Sequence, residues 1–96
     1  MMSDHRPSAE LLDSTHVFPG LYQIKAIGSV ANDFERRVVA AVTAELASAA
    51  DLNYTVRTTS GGRHISLTLD VQAQNAEQVR AIYARLHAVE GMTMLL

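Results

Sequence analysis

The segment HISLTLDV, residues 64–71, decides the fold because its side chains alternate strictly between polar and apolar. Successive side chains of a strand point to opposite faces of a sheet, so alternation separates the two faces cleanly. The pattern is typical of an antiparallel strand with one face on a core and the other toward water or a partner. The segment therefore predicts a central strand with Ile65, Leu67, Leu69 and Val71 on its buried face.

The residues immediately before this strand predict a β-hairpin. A second alternating segment, NYTVRTT (53–59), is followed by Ser60-Gly61-Gly62-Arg63, which breaks the alternation. Glycines between two alternating strands supply the positive φ values that a tight turn needs. Consecutive backbone N–H groups can also hold a phosphate, but a phosphate loop normally opens a helix, and this one leads into a strand. We interpret the glycines as a turn.

Two more strands lie outside the hairpin. LYQIKAI (21–27) alternates, with Tyr22, Ile24 and Ala26 on one side, and Gly28 is predicted to end it. MTMLL (92–96) is predicted to form a short last strand.

Two helices are predicted between the strands. Asn32 is expected to cap the first helix with Glu35 as the returning partner of a capping box, and Asn75 and Gln78 have the same roles in the second. Gly91 stands where a left-handed residue is expected after the second helix. The apolar residues at helical spacing are Phe34, Val38, Val42, Leu46 and Ala49 in the first helix and Val79, Ile82, Tyr83, Leu86 and Val89 in the second.

The order strand, helix, strand, strand, helix, strand predicts a ferredoxin-like α+β fold, a βαββαβ two-layer sandwich. Right-handed crossovers place both helices on one face of a four-stranded antiparallel sheet with strand order 4-1-3-2. Residues 17–96 are predicted to form this single domain, and residues 1–16 a flexible N-terminal tail with only Leu11 and Leu12 to bury. The face without helices is expected to carry Gln23, Lys25, Arg57, His64, Ser66, Thr68 and Asp70.

Composition bounds the function. Of the 96 residues, 48% are hydrophobic and 19% charged, a globular balance. Without cysteine the chain can form no disulfide, thiolate nucleophile or cysteine-based metal site. The formal net charge of -2 gives no general attraction to nucleic acid or to anionic membranes. No apolar run suits a bilayer span or a signal peptide, so we expect a cytoplasmic protein.

Three segments together resemble the YbeD family of small bacterial proteins of unknown function: FPGLYQIKAIG (18–28), SGGRHISLTL (60–69) and VRAIYARLHAVEGMTMLL (79–96). The resemblance implies a βαββαβ fold similar to ACT-type regulatory domains and no established catalytic activity. The chain departs from the family pattern at Gly61, where lysine is usual, and at His64, where an aromatic residue is usual. The residues that match the pattern are Phe18, Pro19, Tyr22, Lys25, Gly28, Ser60, Gly62, Ser66, Tyr83 and Leu86.

Catalysis, metal binding and RNA binding are not favoured. No carboxylate pair or Ser-His-Asp set has a convincing spacing, and the loop that starts at Gly28 lacks the arginine that small phosphatases of this fold need. His5, His16 and His87 are scattered along the chain, so neither a metal nor a cofactor is predicted. RRM domains stack bases on aromatic residues of the first and third strands, whereas the outward positions here carry none.

The sequence therefore favours a non-enzymatic regulatory or protein-interaction module, a monomer or weak homodimer with an unidentified protein partner. It would act through the open sheet face, the sheet edges or the loop after the first strand. The alternative is an ACT-type sensor that binds an amino acid or similar small ligand at a dimer interface near that loop. RNA binding ranks below both, and no membrane partner is expected. The candidate binding residues are Lys25, Gly28, Ser29, Arg57, His64, Ser66 and Thr68.

Overall fold

Strand β3, His64–Ala73, lies inside a four-stranded antiparallel sheet in a computed structural model that describes residues 5–96. The sheet order is β2-β3-β1-β4, which is the predicted order 4-1-3-2 taken from the other edge. The remaining elements are α1 (Ala9–Thr15), β1 (Gly20–Ser29), α2 (Phe34–Thr43), a 3-10 turn (Ala49–Asp51), β2 (Leu52–Thr58), α3 (Ala76–His87) and β4 (Met92–Leu95). The predicted ferredoxin-like fold is confirmed.

The core lies between the sheet and the helices, as the alternation predicts. All four apolar side chains of the 64–71 segment are buried, and so are Tyr22, Ile24 and Ala26 of β1. Close packing of these branched side chains excludes water and supplies the main favourable free energy of folding. The helical residues that meet them in the same cluster are Phe34, Val38 and Val42 of α2 and Val79, Ile82, Tyr83 and Leu86 of α3.

A third helix, α1, was absent from the sequence prediction. The Ser8 hydroxyl accepts a hydrogen bond from the Leu11 N–H at its start, and Leu12 is only 2% exposed in the core cluster. Leu11 is exposed, so one of the two leucines is buried. A helix of seven residues with one buried side chain has no detectable period, which is why the pattern missed it. Residues 1–4 of the predicted tail lie outside the described residues.

The predicted start of α2 was wrong. Asp33 occupies the N-cap position, and its side chain makes no capping hydrogen bond. Both Asn32 and Asp33 adopt left-handed backbone angles, with φ of 60° and 55°, a region that these two residue types enter more readily than others. Arg37 supports the turn by donating from Nε to the Asn32 carbonyl oxygen and from Nη1 to that of Glu90. The helix was also predicted to be too long, since it ends at Thr43, whereas the prediction included Leu46 and Ala49.

The start of α3 confirms half of the predicted capping box. The Asn75 side chain accepts from the Gln78 N–H. The side-chain oxygen Oε1 of Gln78, however, accepts from the Gln74 N–H instead of that of Asn75, and its side-chain nitrogen Nε2 donates to the backbone carbonyl oxygen of Glu45. Gln78 therefore ties the helix start to the segment after α2. Gly91 has the expected positive φ, 91°.

Gly28 is a packing residue inside β1, which continues to Ser29. A Cβ atom at this position would lie 2.3 Å from Cζ of Phe34 and 2.6 Å from the Gly91 carbonyl oxygen. Both neighbours are constrained, because Phe34 is buried in the core and the Gly91 carbonyl accepts the Ser29 N–H. Only glycine therefore lets α2 and the segment before β4 approach this strand so closely.

We expect Gly28→Ala to lower the free energy of unfolding by about 1–3 kcal/mol, the usual effect of overpacking a core. Urea denaturation followed by circular dichroism measures the change. Gly61→Ala is the matched control, since no atom lies within 4 Å of a Cβ built there. Equal stability of the two variants would contradict the packing role of Gly28.

Two tyrosines join the sheet to α3 inside the core. The hydroxyls of Tyr22 and Tyr83 lie 3.2 Å apart, and their rings meet edge to face with centroids 6.2 Å apart. Burial, together with the hydrogen bond to Tyr22, raises the pKa of Tyr83 well above its ordinary value. The phenol is therefore held in its neutral form in the folded protein.

The raised pKa predicts a loss of stability in alkali. The unfolded chain releases the Tyr83 proton near pH 10 while the folded protein retains it, so deprotonation stabilises the unfolded state. We expect the urea midpoint to fall as the pH rises above about 10. Tyr83→Phe should lower stability at pH 7 by about 0.5–1.5 kcal/mol and weaken the alkaline decline. An unchanged decline in the variant would contradict this assignment.

Candidate functional site: the open sheet face

The face of the sheet opposite the helices, called the open face here, carries side chains from all four strands. Each one alternates along its strand with the side chains of the helix side, and all are exposed or partly exposed. They are Leu21, Gln23, Lys25, Ile27 and Ser29 of β1, Asn53, Thr55 and Arg57 of β2, His64, Ser66, Thr68, Asp70 and Gln72 of β3, and Met94 of β4.

The strand register brings six of the seven candidate binding residues onto this face. Lys25 lies opposite Thr68, Ser29 lies opposite His64, and Arg57 lies opposite Ser66. Directly opposite residues in an antiparallel sheet have Cβ atoms roughly 4.5–5.5 Å apart. These side chains therefore form one continuous patch.

One row across the open face combines positive charge with apolar surface. Arg57, Ser66, Ile27 and Met94 follow one another from β2 to β4 in the strand register. Ile27 is partly exposed and Met94 is 50% exposed. We call these four residues the mixed row. A guanidinium beside accessible apolar side chains can hold a carboxylate and an adjacent apolar group at once.

Within residues 5–96, the positive side chains of the open face are unpaired, whereas its carboxylate already has a partner. Lys25 and Arg57 form no ion pair with any described residue. Asp70, the acidic residue of the face, instead accepts a hydrogen bond from the Gln23 side chain at 3.0 Å. Two cations are therefore available to a partner, while the carboxylate is already engaged.

Gly28 does not belong to this patch. Its position in β1 faces the helices, against Phe34, and the loop to α2 begins only at Val30. Ser29 does lie on the open face, but its hydroxyl accepts a hydrogen bond from the Ala31 N–H and helps to shape that loop. Sequence reasoning assigned Gly28 to the loop because glycine commonly ends a strand.

The mixed row contains two residues that sequence reasoning missed, Ile27 and Met94. Ile27 is an apolar residue between the polar Lys25 and Ser29 on the open face, and it belongs there by the alternation of β1 alone. Met94 joins it through the pairing of β1 with β4, which is irregular at Ile27/Gly28. An irregular register cannot be derived from side-chain periodicity, because the pattern of a four-residue strand is too short to set it.

The histidines that the sequence shows as scattered come together in pairs with other rings. The ring centroids of His5 and His87 lie 6.3 Å apart, and those of His16 and Tyr22 lie 4.7 Å apart. Within residues 5–96, no three His, Asp or Glu side chains are placed to hold a metal ion. The contacts therefore pack the N-terminal segment against β1 and α3.

A second feature, a groove of about 370 Å³, lies on the helix side of the sheet beside β2. Tyr54 donates a hydrogen bond from its hydroxyl to Glu35 at 3.2 Å across this groove, and that bond raises the pKa of the phenol. Asp33, Glu35 and Arg36 line the same groove, so charges of both signs lie next to the Tyr54 ring. The lining residues are Asp33, Glu35, Arg36, Val39 and Tyr54.

Comparison with known proteins identifies the family of this chain. The sequence profile of a family described as "Protein of unknown function (DUF493)" matches residues 13–96. A UPF0250 protein of the bacterium Shewanella sediminis is 32% identical over 84 residues, which cover 88% of this chain and 93% of that protein. The chain belongs to the DUF493 family, and the predicted resemblance to the YbeD family is confirmed.

Solved structures extend the comparison of the fold. The ACT domain from GTP pyrophosphokinase of Chlorobium tepidum superposes with a TM-score of 0.60 at 17% identity, over 79% of this chain and 94% of that one. Protein HP0495 from H. pylori superposes with a TM-score of 0.62 at 12% identity, over 100% of this chain and 94% of that one. The predicted likeness to ACT domains therefore holds for the fold. None of the helices in residues 5–96 has the length and apolarity to span a membrane.

Proposed function

We propose that this DUF493 protein is a small non-enzymatic interaction module of the cytoplasm, which binds a partner protein through the open face. The mixed row carries the proposal, because it has Arg57 at one end and the accessible apolar pair Ile27 and Met94 at the other, with Ser66 between them. Lys25 lies two positions from Ile27 on the same face. Partner surfaces with complementary chemistry combine carboxylates with apolar side chains. We therefore expect an acidic partner surface with an apolar centre.

A protein partner fits this face better than a nucleic acid. Described residues of the open face include no Phe, Tyr or Trp on which a base can stack, and the net charge of the chain is -2. Tyr22 lies in the core, and Tyr54 faces the helix side.

A binding role also fits better than catalysis. The pair Ser29 and His64 combines a hydroxyl with an imidazole, but both stand on an open sheet surface and the Ser29 hydroxyl is engaged by the loop. Catalytic groups normally work in a site from which water is excluded, and a flat exposed face provides none. The names of the relatives likewise assign no reaction.

Charge reversal on the open face tests the proposal. We expect Lys25→Glu and Arg57→Glu each to weaken binding to the partner tenfold or more, because like charges then meet across the interface. The variants are compared with wild type by pull-down from a bacterial lysate. The leading captured protein is then purified and its affinity measured by calorimetry at low and high salt. His64→Ala measures how much His64, the residue that departs from the family pattern, contributes to the binding.

Arg36→Glu is the matched control, since it changes the net charge equally but lies on α2 in the other layer. The proposal requires this variant to bind as wild type does. An unchanged set of captured proteins for Lys25→Glu and Arg57→Glu, or an equal loss for Arg36→Glu, would contradict an interface on the open face.

A metabolite sensor is the second candidate, favoured by the common fold with the ACT domain of GTP pyrophosphokinase. Gly28 itself is covered by Phe34, so the groove at the start of α2 is the better place for a ligand. A free amino acid carries an ammonium and a carboxylate, and the groove offers Glu35 and Arg36 as partners of opposite charge.

Titration with free amino acids, followed by amide chemical shifts, tests the sensor. Saturable shifts confined to residues 30–39 and Tyr54 are expected if the groove binds a ligand, and Arg36→Glu should abolish them. Amide chemical shifts that do not change at millimolar concentrations of any amino acid would rule out the sensor and leave the open-face proposal intact.

A further inference from the structure

Strand β2 forms one edge of the sheet and is unusually accessible for a seven-residue strand. Every residue after Leu52 is exposed. Tyr54 and Val56 lie on the helix side of the sheet, opposite the buried Leu69 and Leu67, yet remain 38% and 41% exposed. The helices therefore do not reach far enough to cover the apolar side of this edge.

The hydrogen bonds between β2 and β3 show which backbone groups of β2 point outward. Residues of an antiparallel strand bond alternately to one side and to the other. The Thr59 N–H donates to the His64 carbonyl oxygen at 2.9 Å, in register with the pairing of β2 and β3. Odd-numbered residues thus bond to β3, and the N–H and C=O groups of Tyr54 and Val56 point away from the sheet. No further strand of residues 5–96 lies there.

Apart from the charge of Arg57, the features that normally prevent pairing at an edge are missing from β2. Edge strands are commonly blunted by proline, lysine, a bulge or very short length. The segment Leu52–Thr58 contains neither proline nor lysine, and its pairing with β3 is regular. The other edge, β4, has only four residues and an irregular register with β1. An outside strand is therefore best accommodated at β2.

We propose that β2 pairs in antiparallel fashion with β2 of a second copy of this chain, about a twofold axis at Thr55. Two four-stranded sheets then become one eight-stranded sheet with all helices on the same side. Arg57 borders both surfaces, but the pairing depends on the outward backbone groups of β2 and on Tyr54 and Val56, so the proposal does not rest on the partner proposed above.

The sequence of β2 is complementary to itself about Thr55. Thr55 is the middle residue of Leu52–Thr58, so this register pairs the whole strand. On the helix side, Tyr54 lies opposite Val56 of the partner subunit, an aromatic and β-branched pair of the kind that stabilises sheets. Both residues point their backbone groups outward and can exchange two hydrogen bonds.

Charge supports the same register. On the open face, Arg57 lies opposite Asn53 of the partner subunit, so an amide oxygen faces each guanidinium. The two arginines are then four positions apart along the strands, roughly 13 Å, which keeps like charges apart. Moving the axis to Val56 would place Tyr54 opposite Thr58 of the partner subunit and replace the two Tyr54–Val56 pairs with a single pair of valines. Self-complementarity therefore favours a second copy over an unrelated peptide.

Single-cysteine variants test the register, because the chain contains no cysteine. Thr55 would face Thr55 of the partner subunit in a non-hydrogen-bonded pair, with Cα atoms roughly 4.5 Å apart, within the range of a disulfide. We expect Thr55→Cys to form a disulfide-linked dimer under mild oxidation. Asn53→Cys is the matched control and should form little disulfide-linked dimer, since its two cysteines are four positions out of register.

Light scattering over a wide range of protein concentration tests the pairing itself. We expect the mass of the wild type to rise toward twice that of the monomer. Val56→Pro removes an outward N–H that the sheet does not use, so it should fold and remain monomeric. Val56→Thr keeps that N–H and the β-branched shape and should still dimerise. Circular dichroism verifies that both variants are folded.

Three results would overturn the proposal. A wild-type chain that stays monomeric at the highest concentration excludes the second copy as the occupant and leaves the edge to another protein. A dimer that Thr55→Cys does not trap, or that both cysteine variants trap equally, excludes the axis at Thr55. A folded Val56→Pro variant that dimerises like wild type excludes the β2 edge.

Discussion

The burial of one side of β3 is the constraint on which the rest of the structure depends. Leu67 and Leu69 are fully buried, and β3 is bonded on both edges, to β1 and to β2. A slip of one residue in either register would turn all the apolar side chains of a strand to the wrong face. The alternation therefore determines the pairing of three strands, and with it the positions of both crossover helices.

The same constraint creates the open face. Since every second residue of β3 must be apolar to fill the core, the residues between them are free to vary and stand in one accessible line. Register with β1 and β2 then places Lys25 and Arg57 beside this line. The exposed edge of β2 has a different origin, because the helices do not reach far enough to cover Tyr54 and Val56. The two surfaces meet at Arg57, but one is the face of the sheet and the other the backbone edge of β2, so they can serve different partners.

Close packing at the end of β1 explains how the second layer is held. Phe34 occupies the space above Gly28, and Arg37 connects the loop before α2 to the loop before β4. This arrangement requires left-handed backbone at Asn32 and Asp33, where the sequence pattern predicted an ordinary capping box. Asparagine is favoured both as a cap and in left-handed turns, so its presence does not distinguish the two structures. The tertiary contact of Arg37 with Glu90 decides between them.

By itself, the sequence determined the fold class, the strand order, the core and the polar face, because the periods of strands and helices appear directly in the order of polar and apolar residues. Alternation also predicted most of the candidate site, because it places five of its residues on the open face. They are Lys25, Arg57, His64, Ser66 and Thr68. Only the tertiary structure decided the neighbours of these residues. Met94 beside Ile27, Phe34 over Gly28, α1 against the core and the exposed side of β2 all arise from contacts between segments distant in sequence, for which local periodicity carries no signal.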